Sequence, residues 1–158
     1  MKSKLFLLVS VFVLIVIVQS CSSPESESDY ESSEGFSTSG SRKSHNTGQN
    51  CMGCHKPGGG EAPTWRMAGT IFNETLTLPY ANAIVKLYTG PNATGTLKYT
   101  VNVDALGNFY TSSVIDFTGG LYPSVSGITG TNSMSSPITT GSCFSCHDGA
   151  TRGKIWTN

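Results

Sequence analysis

Two pentapeptides carry most of this chain's reactive side chains. CMGCH occupies residues 51–55 and CFSCH residues 143–147, so four of the five cysteines and two of the three histidines stand in one repeated arrangement. Cys-x-x-Cys alone serves as a disulfide, as half of a zinc site or as a thioredoxin-like redox pair; with His directly after it, it is also an attachment site for c-type haem. Zinc half-sites usually lie about 15–20 residues apart, whereas 88 residues separate Cys54 from Cys143. A redox pair needs its motif at a helix start in a βαβ setting, and neither copy has that surrounding pattern. Local disulfides use the cysteines but give His55 and His147 no reason to follow them. Haem uses every residue. Two thiols add across the porphyrin's two vinyl groups, the two intervening residues span the distance, and the next residue falls under the iron, where an imidazole binds. The spacing predicts two covalently bound haem c groups, one on Cys51, Cys54 and His55, the other on Cys143, Cys146 and His147.

Histidine supply then limits the axial ligands. With His55 and His147 assigned as proximal ligands, His45 is the one histidine left for two distal positions. It precedes Cys51 by six residues, enough chain to turn back over a haem; its alternative role is a solvated residue closing a linker. Methionine is an established partner of histidine on haem iron. Met52 lies inside a binding motif, and Met67 sits on the apolar face of an expected strand, where packing is its plain role. Met134, nine residues before Cys143 in a loop without strand pattern, is the expected ligand of the other iron, with open five-coordinate iron as the rival.

Through Cys51, Cys54, His55, Cys143, Cys146 and His147 the chain resembles the multihaem c-type cytochromes of bacterial envelopes. The resemblance covers two short motifs and implies electron transfer between redox partner proteins, without bond-making chemistry. Stacking of subunits into a conductive filament is a variant for which the sequence carries no direct sign. Two other readings stay open: a haem enzyme or gas sensor with one open iron, and an adhesive β-domain in which haem is a structural staple. For the second, Tyr80, Tyr88 and Tyr110 are the candidate surface aromatics.

The N-terminus bears on where such chemistry takes place. Lys2 and Lys4 precede an apolar run from Leu5 to Val18, the length of a secretory h-region and short of the ~20 residues of a membrane span. Residues 1–20 are the expected signal peptide. Val18-Gln19-Ser20-Cys21 resembles the bacterial lipobox, which implies an acylated Cys21 and a membrane-surface anchor without a spanning helix; an ordinary secretory signal with a coincidental cysteine is the alternative. Residues 21–44, with Glu25, Glu27, Asp29, Glu31 and Glu34 and almost nothing apolar, read as a flexible acidic tether. The expected location is the cell envelope, at the outer membrane. Lys plus Arg and Asp plus Glu both number 10, so no overall charge favours nucleic acid as a partner.

The elements that must position the two motifs are read from period-two patterns. Charged residues make up 13% of the chain, and turn residues recur at short intervals, which predicts a mainly β fold. Residues 65–72 put Trp65, Met67 and Ile71 on one strand face. In residues 83–88, Ala83, Val85 and Leu87 alternate with Ile84, Lys86 and Tyr88; in residues 97–103, Tyr99, Val101 and Val103 alternate with Lys98, Thr100 and Asn102. Asp104-Ala-Leu-Gly107 fits a type I turn leading to residues 108–114 as a hairpin partner, and a further strand is expected from Gly120-Leu-Tyr122. Asn73 and Asn92 read as turn residues. AGTIFN, ANAIVKLYTG, VNVDALGNFYT and GGLYPSVSG resemble the carboxypeptidase regulatory-like, transthyretin-like sandwich over about residues 67–127, which implies a scaffold. The expected fold is a small Ig-like or transthyretin-like β-sandwich, residues 65–127, flanked by two loop-rich haem-binding segments, residues 45–64 and 128–158, packed side by side at one end.

Overall fold

A computed structural model describes residues 35–158; the expected signal peptide and Cys21 lie outside the described residues. The alternation in residues 83–88 makes strand β2 (Ile84–Gly90), with Ala83, Val85 and Leu87 buried and Ile84, Lys86 and Tyr88 partly exposed. Strand β3 (Thr94–Asn102) pairs antiparallel with it and buries Val101. The β2–β3 turn contains Asn92 at φ 54°. Strand β5 (Tyr122–Ser126) lies on the other edge of β2, and β6 (Thr131–Ser133) on the outer edge of β5. The resulting sheet has the order β3-β2-β5-β6.

A second sheet has the order β4-β1-β7. Strand β1 (Met67–Thr70) pairs antiparallel with β4 (Asn108–Thr111) and parallel with the two-residue β7 (Gly141–Ser142). Met67, Ile71 and Phe109 from this sheet region meet Val85, Leu87, Val103 and Val125 in one core. Each fully buried side chain of this kind contributes roughly 1.5–3 kcal/mol, so the two sheets are held chiefly by apolar burial. The fold is mainly β, two sheets around one core, as the composition predicts. Among the described residues no helix is long and apolar enough to cross a membrane.

The structure departs from the expected layout in four places. All four residues of β1 are buried, because both faces are covered: Met67 belongs to the main core, while Ala68 packs with Trp65 and Tyr110 in a separate cluster. Trp65 therefore does not share a face with Met67, since it precedes the strand. Tyr110 is buried and stacked on Trp65, and Tyr80 binds the Ile128 amide through its hydroxyl, which weakens the adhesive reading of these aromatics. Residues 108–111 do not return along β3; they cross to the other sheet and pair with β1. Finally, the sheets draw on more than residues 65–127, because β6 and β7 belong to them. Phe36 bridges to Thr111, and Ser37 is buried against the Tyr110 carbonyl.

The crossing is built at Asp104. Its main-chain carbonyl accepts from Gly107 at 3.2 Å, closing the expected turn, and Gly107 stands at φ 80°, a conformation glycine adopts without steric penalty. A Cβ there would also meet Pro79 at 2.6 Å. The Asp104 carboxylate is fully buried, and its Oδ1 accepts from the amides of Leu106 and Asn108, both at 2.9 Å. Asp104→Ala would leave the buried Asn108 amide without this acceptor. The expected loss is about 1–3 kcal/mol, seen as a lower urea midpoint at unchanged slope; an unaltered midpoint would mean that the turn does not depend on the carboxylate.

Candidate functional site

The two pentapeptides both contact β1 and fold alike. Cys51–Cys54 form a single helical turn, α1, and Cys143–Ser145 a 3₁₀ turn entered directly from β7. In both, the amide of the motif histidine donates to the carbonyl of the first cysteine at 3.0 Å: His55 to Cys51 and His147 to Cys143. Cys51 and Met52 pack on the outer cluster of Trp65, Ala68 and Tyr110. Cys143 packs on the main core beside Gly69, where a Cβ would stand 2.7 Å from the Phe109 ring and 3.2 Å from the Cys143 Cβ. The missing side chain at Gly69 thus lets the second motif approach the sheet closely.

Both motif histidines are held by the same device. His55 Nδ1 donates to the Pro63 carbonyl at 2.8 Å, and His147 Nδ1 to the Gly153 carbonyl at 2.7 Å. A carbonyl can only accept, so the hydrogen sits on Nδ1 in each ring. Nε2 then carries the lone pair, the form in which imidazole binds a metal. His55 is buried and stacks face to face on Trp65, with centroids 3.4 Å apart and planes 4° from parallel; Trp65 in turn stacks on Tyr110 at 4.2 Å. Burial lowers the His55 pKa from its ordinary value; the Pro63 carbonyl opposes this and the nearby His45 adds to it. Burial thereby disfavours the charged ring.

The thiols differ from one another. Burial raises the Cys51 pKa, with its own backbone partly opposing. Cys143 is pushed up to about 12, first by burial and then by the sulfurs of Cys51 and Cys146. Thiols so resistant to ionisation are poor nucleophiles. Cys146 is exposed, and Cys51, Cys143 and Cys146 are free. Cys54 is disulfide-bonded.

The remaining expected ligands are placed unequally. The His45 ring lies 5.7 Å from that of His55, centroid to centroid, tilted by 35°. Met67 is fully buried in the core, as its packing role requires. Met134 directly follows β6, its amide bonded to the Pro123 carbonyl and its own carbonyl to the Asn92 amide; these contacts put it at the β2–β3 turn. A cleft beside His147 is bordered by Gly48, Gln49, Thr70, Phe72, Cys143 and Phe144, so residues just before the first motif and part of the second share one opening. Lys154 lies over the Phe72 ring at 4.2 Å.

Whether this set suits haem can be judged from the side chains themselves. Each motif presents a thiol-bearing turn closed on its histidine, and each histidine has its Nδ1 occupied and its Nε2 without a hydrogen-bond partner among the described residues. Both features fit. Among the described residues no group of three or more His, Cys, Asp or Glu is arranged to hold a metal ion by side chains alone, whereas a porphyrin supplies the equatorial donors itself.

One participant escaped sequence reading. Asn108, buried in β4, ties the loop carrying His45 to the sheet. The available hint was a polar residue at the start of an otherwise aromatic strand. Comparison of the chain with family models, with curated proteins and with solved structures finds no match in any of the three.

Proposed function

We propose that this chain is an electron-transfer protein of the bacterial cell envelope, a dihaem c-type cytochrome anchored to the outer membrane by lipid on Cys21. One observation carries the reading: both CxxCH segments close the same turn, and both histidines donate Nδ1–H to a carbonyl, at 2.8 and 2.7 Å. Bound there, haem supplies a one-electron redox centre. The chain's own residues do the rest. Pro63 and Gly153 hold the imidazoles in the metal-binding tautomer, Trp65 fixes the plane of His55 by stacking, and the core beneath Cys143 keeps water from one side of the second motif. The finer fold is a transthyretin-like sandwich flanked by two haem segments, serving redox partner proteins and no substrate.

The disulfide at Cys54 favours a second reading, in which that sulfur is held in a disulfide and the first motif carries no haem. A sulfur cannot be in a thioether and a disulfide at once. Intact mass of the mature, membrane-extracted protein separates the two. Two haem additions, acyl additions on Cys21 and no change in the Cys54 peptide upon reduction are expected. A mass without haem that rises by two hydrogens for each disulfide on reduction would overturn the proposal.

A further inference from the structure

We infer that His45 and His55 are the axial pair of one iron, with Asn108 as the positioning residue that keeps His45 in place, and that no second histidine of this chain serves the iron of His147. The inference rests on the haem reading above and sharpens it.

Two imidazoles that bind one metal ion from opposite sides at ~2 Å each put their ring centroids about 6 Å apart. The 5.7 Å between His45 and His55 is of that size. The His45 side chain is exposed, yet its backbone is not free to wander. Asn108 Nδ2 donates to Ser44 Oγ at 2.9 Å, to Thr47 Oγ1 at 3.1 Å and to the His45 carbonyl at 3.4 Å. Asn108 Oδ1 accepts from Thr70 Oγ1 at 2.7 Å, and Thr70 Oγ1 accepts from the Gly48 amide at 2.9 Å. Residues on both sides of His45 are therefore fastened to β1 and β4, and Asn46 between them sits at φ 51°. The end of a solvated tether needs no such buried polar clamp, since burying an amide is unfavourable unless its bonds are made. A loop that must hold one imidazole at a fixed distance from another does need it.

Carbon monoxide tests the pairing, because it binds ferrous haem only where an axial position is free. The full chain is loaded with haem, and loading is verified by pyridine haemochrome absorbance, so failure of the haem reading appears there first, as absence of haem. In the variant Cys143→Ala/Cys146→Ala, which retains the haem of His55, the ferrous protein should be low-spin and bind no carbon monoxide. Adding His45→Ala should convert that haem to full binding. In the opposite variant, Cys51→Ala/Cys54→Ala, His45→Ala should change nothing. If either single-haem variant fails to accumulate, the two-haem protein gives the same answer: His45→Ala should raise binding by one carbon monoxide per chain. Asn108→Asp keeps the side chain's shape and removes the Nδ2 donors; it should give partial binding at the same haem, with wild-type haem content. An effect of His45→Ala on the haem of His147, or on neither haem, would overturn the pairing. Full six-coordination in Asn108→Asp would remove Asn108 from the role.

Discussion

Replacing Cys143 and Cys146 together by alanine is expected to halve the haem content, from two per chain to one, and replacing Cys51 and Cys54 should do the same for the other haem. The two motifs are separate turns, each closed by its own histidine amide and each with its own carbonyl orienting the ring. Neither attachment depends on the other's thiols. Pyridine haemochrome absorbance per chain, measured on purified protein, reads the outcome. A pair variant that keeps both haems would sink the assignment, and so would one in which loss at either motif empties both. The Cys54 disulfide gives the second pair variant additional value: if that sulfur is committed to a disulfide in the mature protein, its haem is absent already in the wild type.

Gly141→Ala should be strongly destabilising. A Cβ at this position would overlap the Arg66 carbonyl oxygen and stand 2.5 Å from the Met67 Cα. The atoms met belong to the Arg66–Met67 segment of the neighbouring strand and have no flexible end to yield, so the parallel pairing of β7 with β1 would have to open. Forced overpacking of this kind typically costs about 1–3 kcal/mol. The urea midpoint should fall, and the haem of the second motif should be lost in preference to the first, because β7 leads directly into Cys143. Gly153→Ala is the control: a Cβ there meets nothing within 4 Å, so a change within about 0.5 kcal/mol is expected. Equal stability of the two variants would show that β7 is not what seats the motif.

Legibility in the sequence followed the length over which a pattern could repeat. Strands β2 and β3 were plain because alternation ran through six or seven residues, and burial follows it at Val85, Leu87 and Val101. The turn at Asp104 was equally readable, since Asp and Gly at its ends each have a local reason to be there. Its outcome was not: whether residues 108–111 return to β3 or cross to β1 depends on where Phe109 finds core, which no local signal specifies. Strand β7 has two residues and therefore no period. Trp65 was assigned to the wrong face because the strand begins after it. At the site, the cysteines and the histidines that follow them stand out by spacing alone, and His45 and Met134 are reached as expected ligands by elimination, but elimination cannot say which ring meets which. The Asn108 clamp joins residues more than sixty positions apart, a relation visible only once the chain is folded.

The pairing of the first strand with the last also sets a timetable. Parallel neighbours cannot be joined by a tight turn, and Gly141 meets Met67 only after everything between them has been made. A chain delivered from its N-terminus exposes β1 first, and contacts so far apart in sequence form slowly. Until β7 arrives, one edge of β1 is open and the Cys143 sulfur has no core to lie against. Early closure would shut that sulfur away from any chemistry that has to reach it; late closure would leave an uncovered strand edge ready to pair with a stranger. Under the haem proposal, attachment at Cys143 would have to precede the pairing of β7 with β1.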